Sequence, residues 1–381
     1  MKTIQTFHEE KTKHKPLHQS FVPGSLAIVG EHLESSCGPA LYIATKEGLH
    51  GAISLREDQL INLYFDALPN QKITIDLEAE INLDTSYLER IIQATFLKLK
   101  KEDVSFKKGL DITIINHLEP LYSFNLDCGL SALIMLLAHQ IDAAIPTEKI
   151  VKFADAVFTD YLQLPNRFNA LTAQLYAEEN TVLAIRPYEK THKTIPYPFN
   201  EKTVMVFAPN KLHDEDLKTY QNRVQVLKKA ADLYMANRPI KYLAALELDD
   251  FNRFKTQLPS DQVTRYTEHI VFETSRYKDL VEMLEDNEFM WFTEYLNESQ
   301  VTLSNMFDYV PSDLAFIVES LKSAGAKAAR CSNKTSFQVV VGYFDQFNQR
   351  LFDDLKDRYL RLYKKDLLIH TFEPSAGALK K

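Results

Sequence analysis

The sequence predicts an α+β fold, in which strands and helices are interleaved without a regular repeat. Three short runs rich in apolar residues, at 110–115, 203–208 and 337–344, have the length and patterning of strands. Around them lie segments whose apolar residues recur at helical spacing. Because the order is strands, then helices, then strands again, a regular parallel α/β array is not expected.

Three of the helices are marked by one apolar face or by their end residues. Apolar residues follow the helical period over 217–234. A second helix is predicted to open at Ser260, whose side chain suits an N-cap, with an apolar face after it. A third is predicted to follow Pro311 and to end near Gly325, a residue typical of helix C-termini.

The length of 381 residues and the hydrophobic content of 45% suffice for two compact lobes or one large mixed domain. No segment rich in Pro, Gly or Ser divides the chain. The helical stretch around 145–170 is the predicted place of a boundary, so we expect an N-terminal lobe over 1–165 and a C-terminal lobe over 166–381.

Composition excludes several classes of function. The formal net charge is −8 and no stretch supplies a basic face, so nucleic acid is not an expected partner. The three cysteines have no CxxC spacing, which argues against a disulfide framework and for a reducing cytoplasm. The N-terminus has no apolar core of a signal peptide, and no run approaches the roughly 18 apolar residues of a membrane span. The oligomeric state is not predicted.

Four segments carry a resemblance to a known family. Residues 22–32 read VPGSLAIVGEH and resemble the galactokinase signature APGRVNLIGEH. In the family's order there follow 265–273, similar to its R-A-x-H-V-V-x-E helix, and 296–300, similar to its M-N-E-S-H segment. The helix after Pro311 matches its C-P-E-L-D helix. The chain therefore resembles the galactokinase family of the GHMP kinase superfamily over nearly its whole length.

The resemblance implies a fold and an activity. It implies a GHMP kinase fold, with a ribosomal-protein-S5-like N-terminal lobe that includes the sugar signature, a ferredoxin-like C-terminal lobe and a ligand cleft between them. Galactokinases transfer the γ-phosphate of ATP, with Mg²⁺, to the C1 hydroxyl of galactose. Such a transfer needs donors around the phosphates, a metal and a group that positions the nucleophile.

The two catalytic positions of the family do not hold its residues. Ser25 stands at the position of the catalytic arginine, and a serine supplies no fixed positive charge. Aligned through residues 185–198, Ala170 stands at the position of the catalytic aspartate. A shifted alignment would offer Asn169 or Asn166, but an amide is no base. The alternatives without a catalytic role are that Ser25 is a polar residue at a strand start and that Ala170 lies at the start of an ordinary helix.

The phosphate loop, G-x-G-L-S-S-S-A in the family, is degenerate here. One alignment keeps G-L-S at 129–131 at the cost of an insertion, and the other places Tyr122 and Phe124 on the glycines. The negative charge of Asp127 at this point would repel a phosphate. The degenerate positions are Asp127, Cys128, Gly129, Leu130 and Ser131.

A third family motif, the glycine-rich turn G-x-G-F-G-G, aligns with residues that carry side chains. Its glycine positions become Arg330, Ser332, Lys334 and Thr335. Side chains there would block close approach of a nucleotide to the backbone. Arg330 and Lys334 could instead attract an anion, and the alternative is an ordinary solvated loop.

The sugar-binding positions are better kept. The resemblance implies that Glu31 and His32 contact sugar hydroxyls, that Glu34 replaces an aspartate, and that Tyr220 is the sugar-contacting tyrosine. The alternatives are that Glu31 and His32 brace the fold and that Tyr220 packs in the core. No histidine or cysteine cluster has the spacing of a metal site.

Taken together, these positions predict a galactokinase-like protein that has lost phosphotransfer, or retains little of it, and keeps a sugar site. No cofactor is then expected. One alternative is an active, Mg-ATP-dependent galactokinase or related sugar 1-kinase with displaced catalytic groups. Another is a regulatory or interaction protein that binds no small molecule.

Overall fold

The computed structural model describes residues 3–68, 72–116, 125–141, 145–197, 203–208, 214–237, 239–288, 290–308, 310–332, 338–346 and 348–380. The chain forms two compact units that interleave along the sequence. The first unit comprises Met1–Leu26, Ala44–Glu179 and Ser375–Lys381, and the second unit comprises Ala27–Ile43 and Asn180–Pro374. The division at residue 165, which follows the family's lobes, stays a prediction.

The elements that lie wholly or mainly in the first unit form a sheet covered by helices. β1 and β2 continue along the chain into or out of the second unit. The strands are β1 His18–Val29, β2 Ala40–Leu55, β3 Ile61–Phe65, β4 Lys72–Ile75 and β5 Leu110–Asn116, and the helices are α1 Ile4–Thr12, α2 Tyr87–Lys101, α3 Leu126–Ile141, α4 Ile150–Ala156 and α5 Phe168–Tyr176.

The sheet of the first unit has the strand order β4-β3-β5-β2, with β1 beside β2. β3 and β5 are parallel, and the β3–β4 and β2–β5 pairs are antiparallel. The strand predicted at 110–115 is confirmed as β5, and its first six residues are all buried, as expected of a strand covered on both faces. α1 packs against this sheet through Ile4 and Phe7.

The second unit holds the remaining elements. Its strands are β6 Thr181–Arg186, β7 Thr191–Pro196, β8 Thr203–Ala208, β9 Ala328–Ser332, β10 Gln338–Tyr343 and β11 Leu368–Phe372, and its helices are α6 Asp214–Asn237, α7 Leu248–Phe254, α8 Asp261–Asp286, α9 Phe292–Asn305, α10 Ser312–Ser323 and α11 Gln349–Tyr363. The start of β2 pairs with β6, which pairs with β7. The four other strands form an antiparallel sheet of order β11-β8-β10-β9.

The predicted strands and helices of this unit are confirmed. The run at 203–208 is β8, and residues 338–343 of the run at 337–344 form β10, while residue 337 lies outside the described residues. Ser260 caps α8, since its hydroxyl accepts a hydrogen bond from the N–H of Val263 at 3.3 Å. α10 ends just before Gly325, whose φ of 96° is the left-handed conformation that glycine adopts without strain. The mixed α+β class predicted from the sequence is therefore confirmed.

Two apolar clusters form the core of the second unit. One joins α6, α7, α8 and α9 through residues such as Tyr234, Phe251 and Ile270. The other packs α10 and α11 on the sheet through residues such as Leu321 and Tyr359. No helix among the described residues is long and apolar enough to cross a membrane.

A buried histidine ties α1 to the sheet of the first unit. His8 is fully buried, and its two ring nitrogens bond to the hydroxyls of Thr113 at 2.8 Å and Ser54 at 3.0 Å. Burial lowers the pKa of His8 from 6.5 to about 4. The unfolded chain therefore binds a proton at this site more readily than the folded protein does.

We expect the free energy of unfolding to fall as the pH is lowered from 6.5 to about 4, with His8 accounting for about 2–3 kcal/mol of the loss. Urea denaturation followed across this range should show a weaker pH dependence in His8→Gln than in the wild type. His192→Gln, at an exposed position, is the control and should match the wild type. An unchanged pH dependence in His8→Gln would contradict the assignment.

Candidate functional site

The N-terminus of α3, in the first unit, is bound by a carboxylate of the chain itself. Asp127 lies in the first turn, and its Oδ1 accepts the N–H of Cys128 at 2.8 Å. Its Oδ2 accepts the hydroxyl of Tyr87 and Nη2 of Arg167, both at 3.0 Å. Asp127 and Arg167 are 7% and 4% exposed. The positive end of the helix dipole and a buried guanidinium are thus both neutralised internally.

The side chains around Asp127 do not provide an ionised nucleophile at neutral pH. Burial, together with the Asp127 carboxylate, raises the pKa of the Tyr87 phenol and of the Cys128 thiol well above their usual values. Burial alone would lower the pKa of Arg167, but the carboxylate outweighs it and the pKa is raised. At neutral pH, Arg167 is charged while the phenol and the thiol stay protonated.

Ser25 is joined to this helix start through Asn125. Ser25 is fully buried inside β1 rather than at its start, so the expectation of a strand-start residue is wrong. Nδ2 of Asn125 donates to the carbonyl oxygen of Ser25 at 3.0 Å and lies 3.3 Å from its hydroxyl. The carbonyl oxygen of Asn125 accepts Nε2 of Gln174 on α5 at 2.9 Å. An amide thus stands beside Ser25, and the serine adds no charge.

Ala170 lies in the first turn of α5 and is fully buried. The helix, which reads FNALTAQLY, carries no acidic residue. Its neighbour Asn169 is also fully buried, and within the described part of the chain its amide has no hydrogen-bond partner. Asn166 precedes the helix. The helix start predicted for Ala170 is confirmed, and α5 supplies no general base.

The remaining phosphate-loop positions lie within α3 and face the core. The hydroxyl of Ser131 is fully buried and accepts a hydrogen bond from Thr95 at 2.9 Å. Gly129 packs closely on Gln174, since a Cβ there would lie 3.1 Å from its Nε2. Cys128 and Leu130 are buried as well. Tyr122 and Phe124 lie outside the described residues.

The predicted sugar positions Glu31, His32 and Glu34 share one buried 3-10 segment, Glu31–Ser36, in the second unit. Gly30 precedes it with a φ of 86°, and a Cβ there would meet the carbonyl oxygen of Pro39 at 2.4 Å. A glycine is therefore required at this turn. The segment begins immediately after β1, which is how the signature presents its acid and its histidine.

Arg330 binds Glu31 and Glu273 together. It lies in β9 and is 1% exposed. Its Nη1 lies 3.1 Å from Oε2 of Glu31, and its Nη2 lies 3.1 Å from Oε1 of Glu273. Nε donates to the hydroxyl of Ser299 at 2.8 Å. The expectation of a solvated loop or of an open anion site at Arg330 is wrong, because carboxylates of the chain already bind the guanidinium.

A second arginine completes the cluster. Nη1 of Arg276 lies 2.9 Å from Oε2 of Glu273, so two buried arginines face two buried carboxylates. Burial would raise the pKa of Glu31 and of Glu273. Arg330 and His32 outweigh burial at Glu31, and Arg330 and Arg276 outweigh it at Glu273, so both pKa values are lowered. Both acids are therefore ionised at neutral pH.

His32 pairs with His269 of α8. Their Nε2 atoms are 2.7 Å apart, and both rings lie near Phe307. Burial and His32 lower the pKa of His269 well below its usual value, so His269 is neutral at pH 7. Nδ1 of His32 lies 3.7 Å from Oε1 of Glu31. The structure thus brings Glu31 and His32 into one buried polar network.

Three further predicted residues are not placed, and one of them is Thr335, which lies outside the described residues. Tyr220 belongs to α6, but its side chain lies outside the described part of the structure. Lys334 lies outside the described residues, so the predicted anion site is not tested at that position. Within the described ranges, no group of three His, Cys, Asp or Glu residues could hold a metal ion.

Sequence reasoning missed several residues of the group around Asp127 and of the network around Arg330. Glu273 and His269 stand in the matched segment 265–273, and their place on the buried face of α8 was a usable signal. Arg167 and Gln174 gave none, since their partners Asp127 and Asn125 lie 40 and 49 residues away.

Comparison with known proteins supports the resemblance. The chain is 24% identical over 317 residues to the galactokinase of Clostridium tetani, covering 81% of this chain and 79% of the relative. The crystal structure of Lactococcus lactis galactokinase complexed with galactose superposes with a TM-score of 0.89 at 17% identity, covering 99% and 98% of the two chains. Methanococcus jannaschii mevalonate kinase superposes with a TM-score of 0.62 at 13% identity, covering 94% and 98%. No family model matches the sequence.

The protein therefore has the α+β fold of the GHMP kinases, as the sequence predicted. Within that class it is similar to the galactokinases, and the resemblance carried by the four segments is confirmed in sequence and in fold. The S5-like and ferredoxin-like descriptions of its lobes stay predictions.

We expect Arg330→Met to destabilise the protein by about 3–5 kcal/mol, because it leaves two buried carboxylates facing one arginine. Glu31→Gln in the same chain should recover a large part of the loss, since Glu273 keeps Arg276. Chemical denaturation of the single and double variants gives the coupling energy.

The matched control for this measurement is Lys327→Met. Its ion pair with Asp345 at 2.8 Å has side chains that are 55% and 68% exposed, so the change should cost less than about 1 kcal/mol. Equal costs for Lys327→Met and Arg330→Met would show that the buried network does not stabilise the fold.

Proposed function

We propose that this protein is a galactokinase-like sugar-binding protein whose phosphotransfer is lost or strongly impaired. The observation that carries the proposal is the Asp127–Arg167 ion pair at the N-terminus of α3, with both side chains buried. The family binds nucleotide phosphates at this helix start. Here the Asp127 carboxylate already accepts the N–H of Cys128 at the helix start, and its negative charge would repel a phosphate.

The residues present do not fit Mg-ATP. The hydroxyl of Ser131, the serine that one alignment keeps, is buried and bonded to Thr95. Arg330 fills a glycine position of the third motif and is bound to carboxylates.

The chemistry of transfer also lacks its two catalytic side chains. A fixed cation that stabilises charge in the transition state is worth several kcal/mol of barrier, and Ser25 supplies none. Ala170 is no base, and α5 contains no carboxylate to replace it. Since cation, base and phosphate-binding groups are altered together, one compensating change would not restore the rate.

The proposal that the protein binds a sugar rests on a similar solved structure and on the residues of the Glu31–Ser36 segment. The crystal structure that superposes with a TM-score of 0.89 is that of a galactokinase complexed with galactose. Glu31 is ionised and held in place by Arg330, and an ionised carboxylate is a strong acceptor for sugar hydroxyls. His32 and Glu34 lie in the same segment. We assign Tyr220 to this site by the family resemblance alone.

One other function is favoured by a specific observation. The similarity to curated galactokinases extends over about four-fifths of the chain, which supports an active sugar kinase with displaced catalytic groups. A shared fold does not establish a shared activity, so the two functions must be separated by experiment.

Isothermal titration with galactose and, separately, with Mg-ATP should show binding of galactose alone. Tyr220→Phe should weaken that binding about tenfold through the loss of one hydrogen bond. Tyr295→Phe, on α9, is the control variant and should bind as the wild type does. Binding of Mg-ATP would favour the kinase, and binding of neither ligand would favour a regulatory or interaction protein.

Restoring the two catalytic side chains should not restore catalysis. We expect the double variant Ser25→Arg, Ala170→Asp to show no phosphorylation of galactose above the wild-type level, because Asp127 still neutralises the helix start. Product formation from labelled ATP is the measurement, with an active galactokinase as the positive control. Clear turnover by the double variant would mean that nucleotide phosphates bind despite Asp127.

A further inference from the structure

A cavity of about 210 Å³ lies in the second unit, lined by residues that the proposed function does not use. We call it the Thr274 cavity. Its wall includes residues 274 and 277 of α8, residues 186 and 189 of the β6–β7 hairpin, Cys37 and Tyr242. Apolar walls with a few polar groups are the usual construction of a small-molecule site.

Thr274 is a buried polar residue of the cavity wall. Among the polar residues of this wall, Tyr277 alone is less exposed to solvent. Thr274 is 6% exposed, and among the described residues its buried hydroxyl has no hydrogen-bond partner. Two other threonines of α8 behave differently: Thr264 and Thr267 each donate to the backbone carbonyl four residues earlier, at 3.1 and 2.7 Å. A buried hydroxyl without a partner is costly, and a ligand atom in the cavity would supply one.

The β6–β7 hairpin presents one charge of each sign to the cavity. Both side chains are exposed at the rim of the cavity. Arg186 is hydrogen-bonded to the phenol of Tyr277, and Glu189 accepts a hydrogen bond from the phenol of Tyr242 at 3.2 Å. Burial raises the pKa of Tyr277, and the neighbouring Arg186 opposes that rise. The two other charged residues of the wall, Lys278 and Glu247, pair with each other at 2.8 Å.

Size and charge together define the class of ligand. The volume corresponds to roughly seven waters at about 30 Å³ each, which is less than the roughly 300–1,000 Å³ of sites for drug-sized molecules. A cation and an anion on one wall are complemented by a ligand that carries one charge of each sign. The Thr274 hydroxyl can donate to a ligand carboxylate.

We propose that the Thr274 cavity binds a small zwitterion of the size of a free α-amino acid. Arg186 and the Thr274 hydroxyl bind its carboxylate, and Glu189 binds its ammonium group. The site is separate in function from sugar binding and does not depend on the proposed function.

Cys37 supplies a direct readout, because it lines the cavity and is the exposed cysteine, whereas Cys128 and Cys331 are buried. Partial burial raises the pKa of its thiol, so alkylation is slow enough to follow by intact mass. We would measure its alkylation by N-ethylmaleimide, and the melting temperature, in the presence of each proteinogenic L-amino acid.

At least one amino acid should slow alkylation and raise the melting temperature, with half-maximal effect at a concentration on the order of 1 mM. Its amide, which lacks the carboxylate, and the corresponding acid without the amine should do neither. Thr274→Val and Arg186→Gln should each weaken protection about tenfold, because each removes one ligand contact.

Lys190→Gln, in the same hairpin turn but not in the cavity wall, is the matched control and should keep full protection. The proposal is overturned if no amino acid changes either readout, or if the acid without the amine protects as well. Unchanged protection in both cavity variants would overturn it too. Thr274→Val keeps the shape of the side chain, so a folded variant is expected.

Discussion

The guanidinium of Arg330 is the constraint on which the second unit depends. It joins β9 to the Glu31–Ser36 segment and to helices α8 and α9 in an interior where each of these charges is almost fully shielded from water. Ions in such surroundings are tolerated only when each has a partner of opposite charge and its other hydrogen bonds are made. The Arg330 guanidinium meets this condition, since its two terminal nitrogens bind two different carboxylates.

The first unit applies the same principle at the start of α3. A phosphate-binding helix start must keep its N–H groups and nearby cations uncompensated until the nucleotide arrives. In this chain Asp127 accepts the N–H of Cys128 with one oxygen and binds Arg167 and Tyr87 with the other. An internal carboxylate needs no association step and loses little further entropy, so it has a large advantage over an external anion.

The sequence predicts the local structure well and the ion pairs poorly. The strand at 110–115, the N-cap at Ser260 and the helix that ends before Gly325 follow from short patterns, and the structure has all three. Sequence patterns place Arg330 in a loop, because its partners Glu31 and Glu273 lie 299 and 57 positions away. Periodicity and capping act over a few residues, whereas a buried ion pair is defined only by tertiary packing.

The segments that resemble galactokinases converge on the Arg330 network. The first supplies Glu31 and His32, the second supplies His269 and Glu273, and the third supplies Ser299, each bonded within the network. These residues stabilise the second unit whether or not phosphate is transferred. The matched residues thus belong to the packing and charge pairing of the core. Similarity at such positions establishes the fold, and it does not by itself establish the activity.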